Sequence, residues 1–187
     1  MNKIGNFIKF LERNSNQRNI TIGVVFILFV NIVVFPIFPK LFFQVEIPLN
    51  EILDVHFGFT ADYVQQFFTS IETEGRKAYL LSTGLVDTPY AMIYGFVYAI
   101  ILIFIIKKKM YSGRLRYLIL LPFLISLFDL VENTWIIYLV STYPESNDMV
   151  VSIASFANQL KWIFAGITLF TLFVILVIPK SNQINSL

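Results

Sequence analysis

The run YLILLPFLISLFDLVENTWIIYLV, from Tyr117 to Val140, is apolar and long enough to cross a membrane, yet it carries two acids, Asp129 and Glu132. A helix needs roughly 20 mostly apolar residues, at ~1.5 Å rise each, to span ~30 Å of hydrocarbon. Three other runs meet that requirement: about Ile20–Pro39, with Asn31 its only strongly polar residue, about Pro89–Ile106, and about Ser152–Ile178. The alternating ten-residue pattern of barrel strands is missing, and hydrocarbon tolerates no unpaired backbone, so all four runs read as helices. The fold class is an all-α integral membrane protein, a four-transmembrane-helix bundle forming one domain over residues 1–187.

Composition points the same way. The chain is 57% hydrophobic and 14% charged, where a soluble domain is about 45–50% apolar and about 25% charged. A soluble enzyme, a disordered chain and a nucleic-acid binder are thereby excluded. The lack of cysteine removes a disulfide scaffold, a thiol relay, an iron–sulfur cluster and a thiolate zinc site. A single histidine, His56, excludes bis-histidine haem and argues against a histidine metal cluster. No metal and no cofactor are expected. The first run is too long for a cleaved signal and lacks a small-residue cleavage site, so it reads as an uncleaved signal anchor.

Charge partition gives an orientation. Lys3, Lys9, Arg13 and Arg18 precede the first run, Lys107, Lys108, Lys109, Arg114 and Arg116 lie between the second and third, and Lys180 follows the fourth. Those segments hold one acid, Glu12, whereas the other two connections hold nine acids against Lys40, Arg76 and Lys77. Cytoplasmic segments collect Lys and Arg. Both termini therefore read as cytoplasmic, in a bacterial inner membrane, and residues 40–88 as an outer loop. Within that loop Thr60 is a suitable N-cap and Asp62 suits the first helical turn. Val64, Phe67, Phe68 and Ile71 then recur at helical spacing, which predicts an amphipathic helix on the outer leaflet or capping the bundle. Gly75 interrupts it, and Thr88-Pro89 reads as an N-cap followed by proline at the first helical position. A kink within one continuous helix is the alternative. Gln44 to Pro48 alternates like a strand that Pro48 soon ends.

Three ionisable residues remain inside the apolar runs: Asp129, Glu132 and Lys161. Each costs on the order of 2.5–3.5 kcal/mol at a helix centre, so such groups face the bundle interior and pair. Depth along the helices puts Glu132 and Lys161 in one layer, and two acids against one base leave one carboxylate unmatched. Asn133 shares a face with Asp129, Asn158 lies one turn from Lys161, and Trp162 follows it. Tyr90, Tyr94 and Tyr98 form a stripe that continues back through Asp87 and Tyr79 to Arg76 if the helix is unbroken. Beside it run Ala91, Gly95 and Ala99, small residues that favour close helix approach, including contact between two copies of the chain. Each feature also has a structural reading. The tyrosines serve as core or interfacial aromatics, the acid–lysine pair as a staple, His56 as a hydrogen-bonded surface residue, and Arg76-Lys77 as contacts to lipid phosphate.

Three segments together resemble a group of small four-span bacterial membrane proteins of unassigned function. They are His56-Phe57-Gly58-Phe59-Thr60 with Glu74-Gly75-Arg76, Tyr79, and Asp87 with Pro89 and Tyr90; Asp129-Leu130-Val131-Glu132-Asn133; and Asn158-Gln159-Leu160-Lys161-Trp162. The resemblance spans about residues 50–165 and implies a four-helix bundle with one shared site, but no reaction. Emopamil-binding-type proteins have acids around a lipid pocket, yet their motif order differs. Ceramidase-like hydrolases need several histidines and quinone-linked thiol oxidases need cysteine pairs. The expected function is binding of a lipid or other amphipathic small molecule in a polar intramembrane pocket. The candidate ligand-binding residues are Arg76, Tyr79, Asp87, Tyr90, Tyr94, Asp129, Glu132, Asn133, Asn158, Lys161 and Trp162. A lipid-modifying enzyme using Glu132 or Asp129 as acid/base, with Tyr94 or Lys161 assisting, is the second reading, and a structural or accessory subunit of a membrane complex the third.

Overall fold

The computed structural model describes residues 3–109, 113–145 and 147–178, so Lys180 lies outside the described residues. Six helices follow one another: α1 (Lys3–Asn14), α2 (Gln17–Phe43), α3 (Ala61–Ser70), α4 (Glu72–Lys108), α5 (Tyr117–Thr142) and α6 (Asp148–Val177). Four of them, α2, α4, α5 and α6, are long and apolar enough to cross a membrane. No strand occurs among the described residues, and Gln44, where the alternating stretch begins, ends α2 in a left-handed conformation at φ 58°.

Local chemistry sets the helix ends. Asn16 accepts from Asn19 N at 2.9 Å, Thr60 from Tyr63 N at 3.2 Å and Asn147 from Val150 N at 3.2 Å, each satisfying an amide the first turn leaves unpaired. At the other end of α6, Lys109 Nζ donates to the carbonyls of Leu176 (2.7 Å) and Ile178 (2.8 Å), where a cation suits the helix dipole.

The second long helix differs from the expected boundary. It starts at Glu72 rather than Pro89, runs through Gly75 unbroken, and absorbs Pro89 by widening into a π-helical turn over Ser82–Asp87. Proline has no N–H to donate and its ring crowds the carbonyl one turn back. The wide turn before it relieves that clash. Thr88 is consequently no N-cap: its hydroxyl donates to Thr83 O at 2.9 Å. The loop between the first two long helices shrinks to residues 44–71, and the others lengthen to 17–43, 117–142 and 148–177.

Packing is centred on α5, which lies along α6 and α4. The small-residue stripe serves this packing and is not a free surface. Ala91 and Ala99 are fully buried, and a Cβ built on Gly95 would lie 2.1 Å from Ser126 Oγ of α5. Ala91, Gly95 and Ala99 are thus taken up by packing within the chain. Helix α1 covers the Ala99 end with Ile8 and Leu11, each 1% exposed, against Ile103 and Ile119. That helix was not anticipated, although Phe7, Ile8 and Leu11 recur at helical spacing beside exposed Lys9 and Arg13. At the opposite end, α3 buries Val64, Phe67 and Phe68 against Leu139, Val140 and Val151, capping the bundle as its amphipathic pattern suggests. By contrast α2 is only 6% buried over its most apolar window.

Candidate functional site

Lys161 of α6 sits among three carboxylates. Its Nζ is 2.6 Å from Glu132 Oε2 and 3.2 Å from Asp129 Oδ1, both on α5, and it contacts Asp54 Oδ1 as well. The Glu132 contact is a close approach of charges off the hydrogen-bond direction, since that oxygen has no aligned donor. Asp129 and Glu132 project from one face because they are three residues apart on a helix. Tyr94 of α4 donates to Asp129 Oδ2 at 2.7 Å, and Asn158 donates to Glu132 Oε1 at 2.9 Å. Oxygens of the three carboxylates lie within 4.8 Å of one another, a spacing that suits a metal ion. Here the ammonium supplies the positive charge that a metal would bring.

Asp54 was not among the expected site residues. It belongs to a short 3₁₀ turn, Leu53–Val55, in the 44–60 segment, and that segment folds back against α6. One face of α6 clamps it. Asn158 Oδ1 accepts from Gly58 N (2.7 Å) and Ser155 Oγ from Phe59 N (2.8 Å), while Trp162 Nε1 donates to Asp54 O (3.2 Å). Gly58 adopts φ +80°, a left-handed conformation that glycine takes without strain. Leu53 is fully buried and anchors the turn. The sequence cue was slight: an acid flanked by two apolar residues, in a loop where acids ordinarily face water.

Two contiguous cavities, of about 180 and 200 Å³, flank this turn and share Asn31, Phe35, Asp54 and Asp87 on their walls. The first is lined by Tyr79, Ser82, Thr83 and Asn133 on its polar side and by Pro39, Ile47, Leu49 and Ile52 on its apolar side. The second is lined by Tyr90, Tyr94, Tyr98, Asp129, Lys161 and Trp162. The π-helical turns of α2 (Val30–Val34) and α4 (Ser82–Asp87) carry Asn31 and Asp87 to these walls. Asn31, on the least buried helix, donates to Tyr90 OH at 2.5 Å.

Most of the expected residues therefore converge, with three exceptions. Glu132 and Asn158 are fully buried and line neither cavity; they hold Lys161 and the Asp54 turn from behind. Arg76 is directed elsewhere. It donates to Phe68 O (2.7 Å) and Thr73 Oγ1 (3.0 Å), and its guanidinium lies 4.4 Å from the Tyr143 ring centre. Lys77 pairs with Glu74 at 2.7 Å. His56 also stands apart, with Nε2 2.7 Å from Tyr63 OH. That phenol donates to Glu51 O at 2.8 Å, so the His56 Nε2–H is the donor between the two rings. Partial burial, with the charge of Glu51 second, raises the Tyr63 pKa and keeps that donor in place.

No protein-family model, curated protein or solved structure matches this chain. Its site is read from its own geometry.

Proposed function

We propose that this chain is a multi-pass membrane protein that binds a lipid or other amphipathic small molecule in the twin cavities beneath α2. The observation that carries this reading is the make-up of those cavities. A polar floor of Asp54, Asp87, Asp129 and Asn133 meets an apolar wall of Phe35, Ile47, Leu49 and Ile52. A few convergent polar groups against a mostly apolar lining is the usual character of a ligand site. The membrane setting is supported by large apolar side chains left exposed on the long helices, among them Ile32 (68%) and Phe170 (67%). Such side chains suit hydrocarbon and not water. Charge partition supports cytoplasmic termini in a bacterial inner membrane, with the Lys161 cluster inside the bilayer.

Buried charges in such a setting mark functional sites or staples, and here the cluster divides the two roles. Glu132 and Asn158 fix Lys161 and the turn, while Asp129 and Lys161 reach the cavity wall. The lipid-modifying reading keeps Asp129 as its acid/base, because Tyr94 donates to it and Lys161 adjoins it. Glu132 has no access to a ligand and drops out of that role. Native mass spectrometry of the chain extracted in mild detergent tests the binding reading. The wild-type chain should carry an adduct of lipid-like mass. Asp129→Asn, which leaves Lys161 paired with Asp54 and Glu132, should fold and lose it. The same adduct on both forms, or none on the wild type, would remove the proposal.

A further inference from the structure

We infer that the group seated in the first cavity is the primary ammonium end of a single-chain amphiphile. This rests on the binding reading above and specifies its head-group chemistry. Asp54 and Asp87 stand on the walls of the first cavity, which no cation lines among the described residues, while Asp129 and Lys161 line the second. That lysine already faces three carboxylates, and Arg76 is held by Phe68 O and Thr73. An anionic head group would therefore meet Asp87 and Asp54 with no uncommitted cation to offset them.

The acids are not the whole case. Asn133 is 1% exposed and lines this cavity, yet neither its Nδ2 nor its Oδ1 has a hydrogen-bond partner among the described residues. The buried Ser82 hydroxyl on the same wall is unpartnered too. Asp87, half-buried, lies beside Asn133 on the same wall and faces no cation in a salt bridge among the described residues. Buried polar groups in native proteins are paired by protein, water or ligand, so two unpartnered side chains beside a carboxylate on one wall point to a missing partner. An ammonium offers three N–H donors, matching the Asp87 carboxylate, Asn133 Oδ1 and Ser82 Oγ. An alcohol offers one donor and leaves the Asp87 charge unopposed. Pro39, Ile47, Leu49 and Ile52 complete the cavity with an apolar side for the first carbons of a chain. At about 180 Å³ the cavity holds a head group and not a whole lipid, so the tail runs out past Phe35 along exposed α2.

Dodecylamine, 1-dodecanol and dodecanoate share one chain length and differ only in the head. Each is titrated at equal mole fraction in detergent micelles into the full chain, with tryptophan fluorescence as readout, since Trp162 lines the adjoining cavity. Dodecylamine should bind about tenfold tighter than the other two, and Asp87→Asn should bring the amine-to-alcohol ratio near one. If Asp87→Asn fails to fold, Asn133→Leu, which removes an unpartnered amide without changing charge, takes its place and should likewise erase the preference. Equal binding of amine and alcohol by the wild type, or tighter binding of dodecanoate, overturns the ammonium assignment and leaves the pocket standing. Binding of none of the three overturns both.

Discussion

Lys161 is a single positive charge shared by Asp54, Asp129 and Glu132, and that sharing decides what its removal does. Breaking a buried pair by deleting one partner costs about 3–5 kcal/mol, because the other charge is left uncompensated. Lys161→Met should thus lower stability by at least that much, seen as an early unfolding transition in tryptophan fluorescence. Glu132→Gln keeps an acceptor for Asn158 and should cost less, about 1–3 kcal/mol. If the site were one acid–lysine staple, the double variant Glu132→Gln/Lys161→Met would recover stability. With Asp54 and Asp129 still facing the gap it should remain as unstable as Lys161→Met, and recovery would show that Lys161 answers to Glu132 alone. The sequence disclosed the two acids of α5 and the lysine of α6 because charge inside an apolar run is conspicuous. It did not disclose Asp54, because an acid in a polar loop looks ordinary until the loop is seen to fold inward. Arg76 failed in the opposite sense: helical spacing aligned it with the tyrosines, but its long side chain reaches to Phe68 O.

Between helices, the tightest point is Gly95 against Ser126, where a Cβ would come within 2.1 Å of Ser126 Oγ and 3.1 Å of Ser126 Cβ. Small residues let transmembrane helices approach closely, and this contact sets the distance at which Tyr94 reaches Asp129. Overpacking of this kind costs typically 1–3 kcal/mol. Gly95→Ala should destabilise by about that amount and loosen the Tyr94–Asp129 hydrogen bond. Adding Ser126→Gly frees the same space from the other side and should restore most of the loss. A double variant no better than Gly95→Ala would mean the helices meet elsewhere. Spacing alone revealed the stripe, but not which neighbour it faces, and here that neighbour lies within the chain. Element boundaries were hardest to read at Thr88-Pro89. A proline after threonine is a good helix start when the preceding residues are irregular, and a π-helical turn when they are helical. Only the buried packing of Ala78 and Tyr79 shows which situation holds.

Over the whole molecule the charges separate by end. Lys107 Nζ reaches Glu12 O at 3.1 Å, joining α4 to α1 at one end, where Lys3, Lys9 and Arg13 also lie. Glu46, Glu51, Asp62, Glu72 and Asp148 belong to the loop, α3 and the helix starts at the other end. The four-helix architecture was legible because hydrocarbon thickness fixes a minimum apolar length that few other folds display. The orientation follows only from the positive-inside preference, and it is directly testable because the chain contains no cysteine to complicate labelling. Met149, 74% exposed at the start of α6, and Phe10, 47% exposed on α1, are uncharged and mark the two ends. Single cysteines at Met149 and Phe10 leave the charge balance intact. A membrane-impermeant maleimide applied to intact cells should label Met149→Cys and spare Phe10→Cys until the membrane is permeabilised. The reverse pattern would place the acidic end in the cytoplasm, and the proposed ligand would then enter from the inner leaflet. Labelling at both positions in intact cells would deny that α1 and the start of α6 lie on opposite sides of a membrane at all.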